Sequence, residues 1–358
     1  MRIAVIGAGP AGLSLASRID AEVFEEHLEV GLPRHCTSLV SGVSAEGLGI
    51  PKGIVLNKYE DLLVTDLEGR EVYFRVKGGV YLLDRPGLEQ RLAERVGAIK
   101  LGERVEAIRG PYLYTSKGRH GPYDYIVVAE GALRRFSRTY GEVTRLPGLQ
   151  VDVKSGVGLH GITVIYNQKL SSSYFSWIVE IDRGIYRVGL ADSCCTVDKL
   201  RKLVRLVRGE PIGKPFGGGV LAGPPVGRLI HGRVALVGDA AGLTKPLSGG
   251  GIILAMKSGI ALGEALRRGD PTLYESEMKP IALRLRAARL AYELLYQRGF
   301  VYRALEIFNG SEFLALDYDD HVKTLALALL TTRKAPYALA SAIEYLIRRP
   351  DAPGRPPR

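Results

Sequence analysis

Apolar runs broken by glycine and charged residues fill the first part of the chain and predict a β-α-β unit. A strand is predicted over residues 2–6, a short helix over 10–19 and a second strand over 21–25. Helical spacing returns over residues 83–96. Further strands are predicted over residues 104–109, 112–116, 123–129 and 234–238, and a helix over residues 252–266.

The middle of the chain alternates apolar and polar residues, the pattern of a sheet with one buried face. Residues 71–84 are predicted to fold as a hairpin about Gly78-Gly79, and the alternation resumes over residues 150–191. Residues 209–227, rich in glycine and proline, are interpreted as a linker. Everything after residue 271 has helical spacing. The pattern therefore predicts an antiparallel sheet inserted into an α/β unit that ends in helices.

The composition is that of a globular protein. The chain has 358 residues, 46% apolar and 24% charged, which excludes a disordered chain. Three cysteines, Cys36, Cys194 and Cys195, are too few for a disulfide framework. Because they lack CxxC spacing and the histidines are scattered, no metal site is predicted. We expect a reducing cytoplasm as the setting.

The charge of the chain is basic, with a formal net charge of +11. Nucleic acid, an anionic membrane surface and phosphorylated substrates would all attract such a chain. No stretch interleaves basic with aromatic residues, so nucleic acid is not expected. Asn and Gln together number only seven, which suits a heat-adapted, arginine-rich surface without any partner. No apolar stretch is long enough to span a membrane and no signal peptide is predicted, so we expect a soluble protein or one that associates peripherally with the inner face of the cell membrane.

A glycine-rich turn lies between the first strand and the first helix. Gly7, Gly9 and Gly12 form a GxGxxG pattern, in which the glycines allow a tight turn, a close approach to pyrophosphate and close packing of helix on strand. Glu25 ends the second strand, where its carboxylate can accept hydrogen bonds from ribose hydroxyls and repel a 2′-phosphate; Glu26 is the alternative. The pattern predicts a site for FAD or NAD rather than NADP.

A second glycine-rich segment follows the strand at 234–238. Gly238-Asp239 ends this strand, and Asp239 can accept a hydrogen bond from a ribityl hydroxyl. The glycines that follow allow main chain to approach pyrophosphate and a flavin ring. This segment also contains Pro246, Gly249, Gly250, Gly251 and Ile252. Two such sites, far apart in sequence, indicate a ligand with two ends, and FAD fits.

The predicted fold class is therefore α/β, in an α+β composite: a Rossmann-like FAD-binding domain interrupted by an antiparallel β-sheet substrate domain, with a C-terminal helical region. The predicted boundaries are 1–50, 84–146 and 219–268 for the FAD-binding domain, 51–83 and 147–218 for the sheet domain, 269–350 for the helices and 351–358 for a tail.

The chain resembles the archaeal geranylgeranyl reductase family, within the flavoprotein superfamily of p-hydroxybenzoate hydroxylase. Three segments carry the resemblance: Phe24–Thr37, Leu83-Asp84-Arg85 and Gly238–Ile252. The resemblance implies an FAD site lined by Ala11, Glu25, Cys36, Thr37, Arg85, Val105, Asp239, Gly251 and Ile252. Glu130 stands where the superfamily usually has aspartate, without the serine that normally follows. Of the family's Tyr-x-Trp-x-Phe-Pro signature only Trp177 is present, preceded by Phe175.

The resemblance implies an FAD-dependent oxidoreductase that saturates C=C bonds of prenyl chains by hydride transfer from reduced flavin. Cys36, His35 and Tyr174, in that order, are the candidate proton donors, and Trp177 and Phe175 are candidate substrate contacts. No second dinucleotide motif identifies the electron donor, so NAD(P)H and a ferredoxin-type partner remain open. A flavin monooxygenase of the same superfamily and a non-catalytic flavin-binding protein are the alternatives. The expected partners are a prenyl lipid or another apolar small molecule, a redox partner protein and an anionic membrane surface; for the last, the basic, leucine-rich helices at 323–349 are the predicted docking face.

Overall fold

A computed structural model describes residues 1–194 and 196–347 of the chain. The predictions that concern Cys195 and residues 348–358, including the tail, lie outside the described residues. The chain divides into two compact units. Unit 1 comprises Met1–Arg34, Asp84–Arg145 and Leu221–Arg286, and unit 2 comprises His35–Leu83, Leu146–Val220 and Ala287–Arg358.

Strands form most of the framework of both units. In chain order the strands are β1 (Ile3–Ile6), β2 (Glu22–Phe24), β3 (Leu39–Ser41), β4 (Val55–Thr65), β5 (Glu71–Leu83), β6 (Ala98–Lys100), β7 (Val105–Arg109), β8 (Tyr112–Thr115), β9 (Gly118–His120), β10 (Tyr125–Val128), β11 (Arg145–Lys154), β12 (Ile162–Ile165), β13 (Ser176–Asp182), β14 (Ile185–Ala191), β15 (Glu210–Leu221), β16 (Ile230–His231), β17 (Val234–Leu236) and β18 (Ser311–Ala315).

Helices cover the sheets and form much of the last part of the chain. The α-helices are α1 (Pro10–Ala16), α2 (Gly42–Gly47), α3 (Arg85–Ala93), α4 (Thr196–Leu206), α5 (Ile252–Arg267), α6 (Thr272–Tyr292), α7 (Phe300–Phe308), α8 (His321–Thr331) and α9 (Ala335–Ile347). Single 3₁₀ turns occur at Lys52–Ile54, Gly131–Leu133, Ser137–Tyr140 and Gly238–Ala241, and a π-helical turn at Glu293–Gln297.

Unit 1 is built on a six-stranded sheet in the order β16-β17-β10-β1-β2-β6. Its strands pair in parallel except for β16, which is antiparallel to β17. All four residues of β1 are buried, as expected for a central parallel strand covered on both faces. A small antiparallel sheet, β7-β8-β9, completes the strands of this unit. Because parallel strands end at one edge, the turns after β1, β2 and β17 lie at the same edge of the sheet.

Unit 2 is built on a nine-stranded mixed sheet in the order β15-β11-β14-β13-β12-β4-β5-β18, with β3 also paired to β5. Most neighbours are antiparallel, and β12 with β4 and β18 with β5 are parallel. The amphipathic helix α4 buries Leu200 and Leu203 in the core of this unit. The predicted fold class, a nucleotide-binding α/β unit with an inserted and largely antiparallel sheet, is confirmed.

The predicted hairpin about Gly78-Gly79 is wrong, because β5 runs unbroken from Glu71 to Leu83. Both glycines have positive φ, 73° and 74°, but they form a wide bulge instead of a reversal. The partner strand β4 pairs Tyr59 with Val80 and Asp61 with Arg75, so the residues between Arg75 and Val80 bulge out opposite a single residue.

Two further expectations about local structure are wrong. The glycine- and proline-rich segment over 209–227 is a strand, β15, for most of its length, and it pairs at the edge of the sheet, where proline is tolerated. The region after residue 271 is not entirely helical, because Ser311–Ala315 forms β18 parallel to β5. Phe313 and Ala315 alternate with exposed residues, and this period of two marks a strand.

The compact units also divide the chain differently from the predicted domains. Residues 35–50 belong to unit 2 because β3 pairs with β5 in its sheet. The C-terminal helices do not form a third unit, since the chain passes from unit 1 to unit 2 within α6, between Arg286 and Ala287. Within the described residues, none of the helices has both the length and the apolar character needed to cross a membrane.

Candidate functional site

The glycine-rich turn after β1 has the geometry that the sequence predicts. Gly7 has a φ of 106°, and a Cβ there would lie 2.5 Å from the carbonyl oxygen of Ala129. A Cβ on Gly12 would lie 2.1 Å from the carbonyl oxygen of Gly7. A Cβ on Gly9 would meet no atom within 4 Å, so the main chain at Gly9 faces open space. The turn is therefore closed against the protein at two glycines and open at the third, as a pyrophosphate cradle requires.

Glu25 lies directly beside this turn. Its carboxylate accepts hydrogen bonds from the backbone N–H of Ala8 at 2.8 Å and of His27 at 3.0 Å, and Oε1 lies 2.6 Å from Nδ1 of His27. Only 12% of the Glu25 side chain is exposed. The Glu26 side chain is more exposed, at 39%, and its Oε1 lies 4.0 Å from Nε2 of His27. Of the two predicted alternatives, the geometry favours Glu25 as the carboxylate for a ribose.

The second motif begins in the 3₁₀ turn that follows β17. Thr244 donates a hydrogen bond from Oγ1 to Oδ1 of Asp239 at 3.0 Å. A Cβ on Gly251 would lie 2.6 Å from the same Oδ1, so only glycine lets the main chain lie against this carboxylate. The crowding removes most of the hydration of the carboxylate, which raises the pKa of Asp239 despite the hydrogen bond from Thr244 and the positive charges of Arg85 and Arg134.

The glycine triplet forms a closed turn at the start of α5. Gly249 donates a backbone hydrogen bond to the carbonyl of Lys245 at 2.8 Å, and Lys245 donates one to the carbonyl of Gly250 at 3.0 Å. A Cβ on Gly250 would lie 2.6 Å from Cε of the buried Lys245. Ile252 is the first residue of α5 and is buried, and Pro246 packs beside Gly223.

The two motifs, more than two hundred residues apart in sequence, are adjacent in unit 1. Gly238 has a φ of 58°, and a Cβ on it would lie 3.0 Å from Cβ of Ala11. Helices α1 and α5 pack closely, since a Cβ on Gly259 would lie 2.2 Å from the carbonyl oxygen of Ala11 and one on Gly263 would lie 3.2 Å from that of Leu15. The first helix and the Gly-Asp turn are therefore held side by side, as a ligand with two ends requires.

Arg85 supplies positive charge to this part of unit 1. It is the first residue of α3, and its Nε lies 2.6 Å from Oε1 of the buried Glu89. Burial raises the pKa of Glu89 and the charge of Glu25 raises it further, while Arg85 opposes both. The charge of Arg85 also acts on Asp239. The positive charge of Arg85 thus acts on two carboxyl groups of unit 1, those of Glu89 and Asp239.

Val105 has a structural position in the small sheet of unit 1. Its side chain is buried in the core, and its carbonyl oxygen accepts a hydrogen bond from Nη1 of Arg135 at 3.3 Å. Glu130, the residue that stands in place of an aspartate, accepts hydrogen bonds from the backbone N–H groups of Phe136 and Ser137. Glu130 thereby fixes the loop after β10.

The remaining predicted residues belong to unit 2. Oγ1 of Thr37 donates to Oε1 of Gln150 at 2.8 Å, and Nε1 of Trp177 donates to the same oxygen at 3.3 Å. The indole lies over Gly189, where a Cβ would be 2.5 Å from the ring. Gln150 therefore joins the Cys36-Thr37 segment to Trp177, two predicted features that the sequence alone leaves unconnected.

Cys36 and His35 precede Thr37 in the same segment. The Sγ of Cys36 accepts a hydrogen bond from the backbone N–H of Ser38 at 3.3 Å. His35 lies against Gly218, where a Cβ would be 3.5 Å from Cβ of the histidine. Tyr318 is close enough to Cys36 that the thiolate charge would add to the effect of burial in raising the pKa of Tyr318.

Tyr174 and Phe175 are buried in an aromatic cluster of unit 2. The ring of Tyr174 lies 4.4 Å from that of Phe175 and 4.9 Å from that of Tyr296, and the ring of Phe175 lies 5.8 Å from that of Trp177, all between centroids. The hydroxyl of Tyr296 is 2.7 Å from that of Tyr166. Burial raises the pKa of Tyr166 to about 12, so this hydroxyl pair remains protonated at neutral pH.

The chain is similar in sequence to archaeal enzymes. It is 28% identical over 389 residues to the digeranylgeranylglycerophospholipid reductase of Methanothrix thermoacetophila, covering 97% of this chain and 95% of the relative. It is 26% identical over 316 residues to digeranylgeranylglycerophospholipid reductase 1 of Methanothermobacter thermautotrophicus, covering 75% and 79% of the two chains. No protein-family model matches the chain.

The fold is similar to that of solved flavoenzyme structures. A geranylgeranyl bacteriochlorophyll reductase-like protein from Thermoplasma acidophilum superposes with a TM-score of 0.79 at 18% identity, covering 96% of this chain and 98% of the other. A flavin-dependent brominase superposes with a TM-score of 0.70 at 16% identity, covering 97% and 99%.

The resemblance to the geranylgeranyl reductase family is confirmed. The expected enzyme class, an oxidoreductase, is confirmed with it, and the flavin-dependent neighbours support the expected flavin.

The candidate site in unit 1 also contains a residue that no sequence motif indicates. Arg134 is buried with a φ of 50° and donates to the carbonyl oxygens of Ala240, of Gly141 at 2.5 Å and of Ser137 at 3.3 Å. Burial lowers the pKa of this arginine. Its guanidinium thus holds the Gly-Asp turn, yet no sequence pattern marks an arginine that binds carbonyls in distant loops. By contrast, the small-residue spacing of Gly259 and Gly263 on one face of α5 was a readable signal of close helix packing.

Proposed function

We propose that this protein is an FAD-dependent reductase that saturates C=C bonds of geranylgeranyl or other prenyl chains, carried by an isoprenoid lipid or a prenyl diphosphate. The observation that carries the proposal is the adjacency of Ala11 and Gly238 in unit 1, which brings two cofactor motifs together. The names of the archaeal relatives, digeranylgeranylglycerophospholipid reductases, support the substrate class.

The residues of unit 1 fit FAD. Glu25 would accept hydrogen bonds from the adenosine ribose, and the open side of Gly9 would admit the pyrophosphate. Asp239 would accept a hydrogen bond from a ribityl hydroxyl. Gly249–Gly251 would let main chain lie against the flavin. When bound and reduced, FAD would supply the hydride for an unactivated double bond.

Protonation of the second alkene carbon requires a donor from this chain. We assign the first place to Sγ of Cys36, whose contact with the N–H of Ser38 orients the thiol. His35 is the second candidate. Tyr174 is third, because it is buried among aromatic rings, and its ring lies beside that of Tyr296, whose pKa burial raises well above the ordinary value.

The substrate chain would be held by apolar contacts. The rings of Phe175 and Trp177 pack edge to face in unit 2, with 5.8 Å between their centroids, and Gln150 fixes the indole of Trp177 through Nε1. Each methylene removed from water stabilises binding by about 0.8 kcal/mol, so a prenyl chain can be bound without ionic contacts.

The test is the anaerobic reoxidation of the reduced, FAD-loaded protein, followed by flavin absorbance. A geranylgeranyl lipid should speed reoxidation, and a saturated phytanyl lipid of the same headgroup is the control. No acceleration by the unsaturated lipid at full flavin occupancy would reject the proposal. Oxygen uptake stimulated by an aromatic substrate would instead indicate the monooxygenase alternative. Rates of reduction by NADH, NADPH and reduced ferredoxin, measured separately, would identify the electron donor.

A further inference from the structure

The helix α9 of unit 2 exposes its bulky apolar residues and buries small ones, the reverse of an ordinary surface helix. On α9 the buried positions are the small residues Ala338 and Ser341, at 3% and 7% exposure. Leu339, Ile343 and Leu346 are exposed by 50%, 55% and 54%. A surface helix normally turns its large apolar side chains towards the core. Among residues 1–194 and 196–347, these three side chains of α9 are therefore left largely uncovered.

Exposed apolar residues also occur at the end of α8 and at the start of α9. The buried residues of α8 are Thr324 and Ala328, whereas Leu330, near its C-terminal end, is 84% exposed. Tyr337, at the start of α9, is 54% exposed. Leu339, Ile343 and Leu346 lie on one side of α9, at i, i+4 and i+7, and an exposed apolar face of this kind marks a site of interaction with another molecule or a membrane.

Basic residues border this apolar face at both ends of α9. Arg333 and Lys334 are exposed in the turn between α8 and α9. Nζ of Lys334 donates hydrogen bonds to two neutral acceptors, the carbonyl oxygen of Asn309 at 3.4 Å and Oγ of Ser311 at 3.2 Å. At the other end, Arg298 donates to the carbonyl oxygens of Tyr345 and Leu346, each at 3.1 Å.

We propose that the outward face of α9, with Leu330 and the Arg333-Lys334 turn, docks on an anionic lipid membrane. An apolar face flanked by cations is the pattern of a helix that lies in the membrane interface. Glu344 is the one acidic residue of α9, against the basic residues at both ends. The net charge of +11 favours an anionic lipid surface over a second copy of the same cationic chain. This proposal goes beyond the reductase activity and does not depend on it.

The test is sedimentation of the full chain with vesicles, in the absence of substrate. Vesicles of phosphatidylglycerol with phosphatidylcholine should bind the protein, and vesicles of phosphatidylcholine alone should bind it weakly. The triple variant Leu339→Ser, Ile343→Ser and Leu346→Ser should lose roughly tenfold or more in affinity, since three apolar side chains no longer enter the lipid. The double variant Arg333→Glu and Lys334→Glu should lose roughly thirtyfold or more on anionic vesicles.

A matched control replaces three exposed leucines far from α9 in the chain, Leu28→Ser, Leu56→Ser and Leu133→Ser, which are 86%, 63% and 66% exposed. This variant should bind vesicles like the wild type, and every variant should keep the wild-type melting temperature because the replaced side chains are exposed. Equal binding by wild type and the α9 triple variant would overturn the proposal. So would a concentration-dependent dimer, measured by light scattering, that the triple variant abolishes, because a second copy would then cover the face. Neither result depends on flavin content or prenyl reduction, so failure here is distinct from failure of the proposed function.

Discussion

Substitution of Gly9 by alanine should separate cofactor binding from folding. Gly9 has φ −83° and ψ −175°, an extended conformation that alanine adopts without strain, and its added Cβ would meet no protein atom within 4 Å. Alanine reduces the entropy of the unfolded chain, which stabilises the apoprotein by about 0.4–1 kcal/mol, but it is a poorer N-cap residue for α1 than glycine, which costs a similar amount. The melting temperature of the apoprotein should therefore stay within roughly 4 °C of the wild-type value.

The same methyl group should weaken FAD binding, because the open side of Gly9 is where we place the pyrophosphate. Forcing an extra methyl group into a filled site costs about 1–3 kcal/mol. The dissociation constant for FAD should therefore rise roughly 5- to 150-fold. Titration of the apoprotein with FAD, followed by quenching of flavin fluorescence, measures this constant.

Gly12→Ala is the matched comparison. Its Cβ would lie 2.1 Å from the carbonyl oxygen of Gly7, so the apoprotein itself should be destabilised, by about 1–3 kcal/mol or more. Thermal unfolding should leave the Gly9→Ala apoprotein close to the wild type and lower the melting temperature of the Gly12→Ala apoprotein. Unchanged FAD affinity in a folded Gly9→Ala variant would refute the placement of the pyrophosphate.

Four further substitutions test the ribose contact, the buried ion pair, the buried aspartate and the proton donor. Glu25→Gln should raise the dissociation constant for FAD by roughly tenfold or more in the same titration, since a hydrogen bond to a charged group contributes about 1.5–3 kcal/mol. Arg85→Met should lower the free energy of unfolding by about 3–5 kcal/mol, because Glu89 loses its buried partner, and replacing both residues by leucine should restore it in urea unfolding. Asp239→Asn should flatten the pH dependence of apoprotein stability: the pKa of Asp239 is raised by folding, so its contribution is full below the unfolded pKa and is lost as pH rises through the folded value. Cys36→Ala should slow prenyl reduction roughly 10²-fold or more, as loss of a general acid does, while leaving FAD affinity unchanged. Equal rates of prenyl reduction by the variant and the wild type would move the donor to His35 or Tyr174.

The parts of the site that could be predicted are those encoded in short segments. Gly7, Gly9 and Gly12 impose a turn through local geometry, and Gly238-Asp239 follows an apolar strand whose end is evident in the sequence. Glu25 could be chosen over Glu26 because side chains alternate along a strand. The adjacency of the two motifs followed only from the inference of a ligand with two ends.

The parts that could not be predicted depend on long-range partners. Gly78-Gly79 has the composition of a hairpin, but pairing on both sides of β5 converts it into a bulge within one strand. The segment over 209–227 has the composition of a linker, yet most of it forms β15 by pairing with β11 at the edge of the sheet. Arg134 and Gln150 act through groups more than twenty residues away, and no local pattern indicates such contacts.

The central claim, that this chain reduces prenyl double bonds with FAD, is tested most directly by the mass of the lipid product. Protein loaded with FAD and reduced without oxygen is incubated with a geranylgeranyl lipid, and the extracted lipid is analysed by mass spectrometry. We expect a series of products, each heavier by two hydrogen atoms per double bond reduced, and no such products from FAD-free protein. A lipid of unchanged mass, recovered from protein with full flavin occupancy, would contradict the proposed reduction of prenyl double bonds.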